Sequence, residues 1–326
     1  MQHHLTERNE STVQEVLRIN HSVVPDEGED SFALRSDEQG AFLCVTDGCG
    51  GLGSRRYENL SGRTGAFLAS RLAAKAFAAW AEERQPSPER LEEAQILCHE
   101  LEGDLFHRLK GFADENCVQE KSRITGSMQR VLPTTLCAFT CFGQRSGFWW
   151  AGDSRGYVMD ADGLRQYTRD HVRGETDPFE TLYRDAPLSN LLSADRAGRI
   201  QHRMVDVSKP GIVLTATDGV YSSLPTPMEV EMLLLDTLRL STSYQEWERK
   251  LLGRIARNAQ DDATLLIMPV HVSGFAQLKD LLMPRREVLQ KQFITPVRRQ
   301  KGRLEYARMK WKHYQPGYDR TEEQHG

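Results

Sequence analysis

The chain holds 326 residues, enough for one large domain or two of ordinary size. With 39% hydrophobic and 27% charged residues, and Gly and Pro near average usage, it can build a packed core and is neither collagen-like nor low-complexity. The net charge of −4 is unevenly spread: residues 275–326 carry 12 Lys/Arg against 6 Asp/Glu, leaving 30 against 40 elsewhere, an acidic body with a basic tail. Such a body fits a protein that collects cations and argues against a nucleic-acid partner.

No apolar run reaches the ~18 residues of a membrane span, so no membrane partner is expected. The first ten residues are polar and lack the apolar stretch of a secretory signal. Six cysteines without a CxxC pair are too sparse for a disulfide framework, and Cys137 and Cys141 read as buried thiols. A cytoplasmic location follows as the expectation.

In chain order, residues 40–46 (GAFLCVT) form the first strand-like run. Residues 61–83 have helical period, with Phe67, Leu68, Leu72, Phe77 and Trp80 on one stripe. Ser87-Pro88 predicts the cap and first position of a second helix, lined by Leu91, Ala94, Cys98, Leu101 and Leu105. Strands are predicted over 134–142, 147–151, 155–160 and 164–168, with residues 160–163 (DADG) as a hairpin turn. Residues 172–197 are polar with little period and read as a long ordered loop or flap. Strands over 199–207 and 212–217 follow, then a capping box at Thr226 and Glu229 opening a helix to about Leu238. Ser243 opens another helix that faces Tyr244, Trp247, Leu251 and Ile255 to the core, and residues 263–272 form the last strand. Helices on either side of a block of short strands with tight turns predict an α+β sandwich with mostly antiparallel sheets. Ser273-Gly274 marks a boundary between a domain of residues 1–272 and a basic extension, 273–326.

Four of the strand runs have an aspartate at one end. Asp47, Asp153 and Asp218 follow their runs, each beside a glycine, and Asp261-Asp262 precedes the last strand. In antiparallel sheets the end of one strand lies beside the start of the next, so one rim can hold all four carboxylates. They cannot all be ionised there without a cation. An oxygen-only donor set favours Mg²⁺ or Mn²⁺ over Zn²⁺. Two such ions are a standard device of phosphoryl chemistry, lowering the pKa of a bound water and neutralising the phosphate.

Six segments resemble, in order and spacing, the metal-dependent protein phosphatase family, also called type 2C or PPM serine/threonine phosphatases. They are GEDSFAL with Glu29 and Asp30, DGCGG from Asp47, WWAGDSRGYV with Asp153, YTRDH from Tyr167, TATDGVYSSL with Asp218, and DDATLLIM from Asp261. They span roughly residues 20–272. The resemblance implies a four-layer αββα sandwich with a two-metal centre at one edge, a third ion being a family variation. By position Asp47 would bridge the ions, Asp218 and Asp261 would ligate the first, and the Gly48 carbonyl the second. Glu29 and Asp30 would hold metal-bound waters, Asp153 with Asp218 would match the third metal, and Asp262 would be structural. The implied reaction is attack of metal-bound hydroxide on a phosphoserine or phosphothreonine monoester, with no phosphoenzyme. The implied partner is a phosphorylated protein, a serine/threonine kinase or its target.

The chain departs from the family in places. The arginine that many members carry before the Glu-Asp pair is missing, and Arg55 or Arg56 is the nearest substitute. Cys49 stands where eukaryotic members have histidine, and Ser222 where an acidic residue often lies. His171 is expected to make a structural hydrogen bond, Asn190 to sit in the flap near the metals, and Trp149 and Trp150 to point to opposite faces of their strand. The tail interleaves Arg and Lys with Tyr306, Trp311 and Tyr314, which suits a charged helix docking on the acidic body or on a partner better than a nucleic-acid surface. Two other readings share these residues: a catalytically silent module that binds phosphoproteins, and a hydrolase of small phosphoesters.

Overall fold

The computed structural model describes residues 15–117, 130–174, 177–179, 186–222, 224–300 and 302–320. Its strands are β1 (Leu17–His21), β2 (Asp30–Asp37), β3 (Gly40–Asp47), the short pair β4 (Arg56–Tyr57) and β5 (Arg63–Thr64), β6 (Leu136–Phe142), β7 (Arg145–Ala151), β8 (Arg155–Asp160), β9 (Gly163–Gln166), β10 (Gln201–Met204), β11 (Gly211–Ala216) and β12 (Ala263–Val270). The helices are α1 (Gly65–Arg84), α2 (Leu91–Asn116), α3 (Glu229–Arg239), α4 (Tyr244–Asn258), α5 (Phe275–Leu289), α6 (Thr295–Arg299) and α7 (Arg303–Tyr318), with a π-helical turn, Gln290–Ile294, joining α5 to α6.

Two five-stranded antiparallel sheets, ordered β1-β12-β11-β8-β9 and β10-β7-β6-β3-β2, stack face to face. Their strands are apolar on both faces because both faces are covered. In β12, Leu266, Met268 and Val270 enter the layer between the sheets while Leu265 and Ile267 face the outer helices. In β3, Leu43 and Val45 lie between the sheets and Phe42 and Cys44 face α1. Trp150 of β7 packs between the sheets and Trp149 under the helices, edge-on to Trp80 of α1 with ring centres 5.3 Å apart. The result is an α+β sandwich of four layers.

The residues after Val272 also enter this architecture. Leu278, Leu282, Leu289, Ile294, Val297, Trp311 and Tyr318 join the apolar cluster over the first sheet. Three polar ties accompany them: Arg285 pairs with the fully buried Glu231 at 2.7 Å, Arg298 pairs with Glu229 at 2.8 Å, and the Tyr314 hydroxyl donates to Glu231 at 2.6 Å.

Several local expectations need correction. Helix α1 starts at Gly65, capped by the Thr64 hydroxyl, because residues 56–64 form the small β4-β5 hairpin. Helix α2 starts at Leu91: Ser87 donates its hydroxyl to the Phe142 carbonyl and caps nothing. The capping box at Thr226 does not form, since the Glu229 carboxylate is taken by Arg298. Ser243 does cap α4, accepting from the Glu246 amide at 3.2 Å.

Candidate metal centre

The site lies where strand ends from both sheets meet. Asp47 ends β3 and stands across the ladder from Asp30, which opens β2. Asp153 sits in the turn by which the chain crosses from β7 in one sheet to β8 in the other. Asp218 follows β11, and Asp261 precedes β12, the strand paired with β11. Glu29, Asp47, Gly48, Asp153, Asp218 and Asp261 all line one cleft of about 1120 Å³, with the buried Asp30 behind them.

Backbone and hydroxyl groups hold this rim. The Asp47 carbonyl accepts from the Thr135 amide and the Thr134 hydroxyl, both at 2.8 Å, and the Asp47 amide donates to Thr135 Oγ1 at 3.1 Å. The Thr217 hydroxyl donates to Asp30 Oδ2 at 2.8 Å and accepts from the Thr264 amide at 2.8 Å, so one side chain joins three strand ends. The Thr64 hydroxyl, besides capping α1, bonds Glu29 Oε1. Asp262 turns away from the cleft and accepts from the amides of Val23 at 2.8 Å and Glu29 at 2.6 Å, which fixes the segment leading into β2. Gly48 is obligatory: a Cβ there would lie 2.3 Å from the Ala66 carbonyl oxygen. Gly152, at φ +104°, makes the turn that presents Asp153.

Electrostatics set the chemistry. Burial and then Asp218, Asp30, Asp153 and Asp261 hold the Asp47 carboxyl far above the usual carboxylate range. Asp153 is pushed up by burial and then by Asp218 and Asp170. Burial raises Glu29 against the pull of the Thr64 hydroxyl, and raises Asp30 to about 7 against that of Thr217. Asp30 Oδ1 is buried and makes no hydrogen bond. Crowded carboxylates that repel one another in a polar cleft, all with hard oxygen donors, fit divalent Mn²⁺ or Mg²⁺, whose charge offsets the repulsion. Among the described residues no three His, Cys, Asp or Glu side chains form a ready-closed ligand set.

Other residues named by the sequence fall as follows. The Cys49 thiol is pushed well up by burial and then by Asp47, which keeps it protonated and no nucleophile. His171 accepts at Nδ1 from the Gly152 amide at 3.1 Å and lies 2.9 Å from Asn190 Nδ2, which places the proton of the neutral ring on Nε2. Neither Arg55 nor Arg56 lines the cleft; Arg56 pairs with Glu27 at 2.9 Å. Sequence reasoning missed the support behind Asp153. There the Tyr221 hydroxyl donates to the Asp153 carbonyl at 2.8 Å, and Arg155 stacks 3.8 Å over the Tyr221 ring while pairing with Asp170 at 2.7 Å. Its signal was present, since Arg155 stands two residues after Asp153 at the start of a strand buried throughout.

Comparison with known proteins agrees with this fold. Residues 20–255 match the family model described as protein phosphatase 2C. The chain belongs to that family, and with it to the protein serine/threonine phosphatases. A comparison with curated protein sequences gives no match. Among solved structures, the serine/threonine phosphatase Stp1 from Staphylococcus aureus is similar at 17% identity, with a TM-score of 0.61 over 80% of this chain and 96% of that one. The Mycobacterium tuberculosis serine/threonine phosphatase PstP/Ppp is similar at 20% identity, with a TM-score of 0.56 over 80% of this chain and 100% of that one. The catalytic domain of PstP in complex with two manganese ions gives 19% identity and a TM-score of 0.55 over 79% and 98% of the two chains.

Proposed function

We propose that this chain hydrolyses phosphoserine and phosphothreonine monoesters on proteins at a centre of two Mn²⁺ or Mg²⁺ ions, the substrate being a serine/threonine kinase or one of its targets. The observation that carries the reading is the meeting of Asp47 from one sheet with Asp218 and Asp261 from the other in one polar cleft. When bound, the ions supply an acidified water and neutralise the phosphate.

The chain's own groups do the rest. Asp47 would serve both ions, Asp218 and Asp261 the first, and the Gly48 carbonyl the second. Asp153 with Asp218 would offer a third position. Glu29 and Asp30 would accept hydrogen bonds from water in the cleft, Asp30 held by Thr217. The protonated Cys49 thiol fills space beside Asp47, and with no phosphoenzyme step the leaving alkoxide takes its proton from water in the open cleft.

The experiment is phosphate release from a phosphothreonine peptide. Release that requires Mn²⁺, stops with excess EDTA, and falls at least ~100-fold in Asp47→Asn or Asp218→Asn is the expected result. Full turnover in excess EDTA contradicts the reading. Saturable peptide binding with no release at any Mn²⁺ concentration would point to a silent binding module.

A further inference from the structure

The same cleft also carries positive charge. Arg130, Arg173, Arg196 and Arg199 line it together with the site carboxylates. Arg130 is engaged by Asp195 at 3.0 Å. Arg173, Arg196 and Arg199 are exposed, and no salt bridge among the described residues includes them. Their backbones are nevertheless fixed. The Arg173 amide donates to the Pro187 carbonyl at 2.9 Å. Asn190 clamps Arg199 from both sides, its Nδ2 donating to the Arg199 carbonyl at 2.7 Å and its Oδ1 accepting the Arg199 amide at 2.9 Å. The segment holding Arg196 is tied down by the Ala194 amide, which donates to the Val131 carbonyl at 2.8 Å.

Exposed guanidinium groups with no salt bridge among the described residues, on a fixed base and on a chain whose body is otherwise strongly acidic, are a recognition surface for carboxylates. A cleft of about 1120 Å³ exceeds what a single phosphorylated side chain fills, so neighbouring residues of a substrate enter it too. We propose that Arg173, Arg196 and Arg199 select substrates with Asp or Glu flanking the phosphorylated residue, so that the preferred substrate class is an acidic phosphopeptide. This rests on the phosphatase reading of the site and adds the substrate's charge to it.

The test compares kcat/KM of the Mn²⁺-loaded enzyme for three phosphothreonine peptides of equal length, flanked by Glu, Ala or Lys, with p-nitrophenyl phosphate as a substrate that has no flanks. The Glu-flanked peptide should exceed the Lys-flanked one about tenfold, mainly through KM, and the gap should shrink as salt is raised. Charge reversal by Arg196→Glu or Arg199→Glu should narrow or invert that ratio. A wild-type ratio within about twofold overturns the inference, and the salt series needs no variant to fold. An equal loss for all three peptides in the variants also overturns it, because a grip on the phosphate ignores the flanks. Absence of Mn²⁺-dependent hydrolysis of p-nitrophenyl phosphate would be the failure of the phosphatase reading itself. Its hydrolysis alongside a flat peptide panel defeats the acidic preference alone.

Discussion

Thr217 and Asp30 are 187 positions apart in the chain, yet the hydroxyl of the first donates to the carboxylate of the second at 2.8 Å. Thr217 directly precedes Asp218 on one sheet, and Asp30 faces Asp47 on the other. This bond therefore joins the two halves of the carboxylate rim.

Thr217→Val removes it and leaves the buried Asp30 carboxyl with neither oxygen bonded by that hydroxyl. Urea unfolding should show a loss of about 2 kcal/mol, and Mn²⁺ affinity should fall, whereas Thr217→Ser should retain most of both. An unchanged midpoint in Thr217→Val would show that the bond contributes nothing.

Arg155 is nearly buried between Asp170 and the Tyr221 ring. Arg155→Met strands the Asp170 carboxylate and loosens the tyrosine that holds the Asp153 carbonyl. A loss of about 3 kcal/mol by chemical denaturation is expected. Tyr221→Phe, which deletes only the hydroxyl, should lose about 1 kcal/mol.

Gly152 adopts φ +104°, and a Cβ there would meet Thr135 Cγ2 at 2.6 Å. Thr135 also bonds the Asp47 amide, so Gly152→Ala disturbs Asp153 and Asp47 together. Thermal melts should report about 2 kcal/mol of destabilisation, with weaker Mn²⁺ binding.

His202 packs against Trp149 with ring centres 4.1 Å apart, and burial pushes its pKa down to about 4. The folded state therefore favours the neutral ring. Its contribution is complete above the unfolded value near 6.5 and is lost as pH falls towards 4. Allowing for partial exposure, stability should drop by about 2 kcal/mol across that window. His202→Gln should flatten this part of the stability profile between pH 7 and 4, and an equally steep drop in the variant would assign it to other groups.

Trp311 of α7 packs on the core with Tyr314 and Tyr318, at ring centres 5.6 and 5.3 Å away. Trp311→Ala should remove about 3 kcal/mol, a loss that a dispensable tail residue would not produce.

Much of the rim could be read from the chain because each site aspartate ends or precedes an apolar strand run, and pairing in antiparallel sheets brings such ends together. The neighbouring strands β7 and β8 were legible as strands, but the crossover between sheets at Asp153 was not, since period-2 patterning looks alike in either sheet. The tail was legible as a charged helix, but its charge hid the apolar stripe by which it enters the core. Yet Ala307, Trp311, Tyr314 and Tyr318 fall at helical spacing, and all four are buried. The cap misreadings have a single cause: Ser87 and Glu229 bond to Phe142 and Arg298, partners that local pattern cannot reveal. Arg173 and Arg196 were missed because the flap has no period to place their side chains.

Calorimetric titration of the metal-stripped protein with Mn²⁺ tests the central claim most directly. The account predicts about two ions per chain for the wild type and loss of at least one in both Asp47→Asn and Asp218→Asn. No uptake by the wild type, or the same uptake by both variants, would contradict a shared divalent-metal centre on this rim.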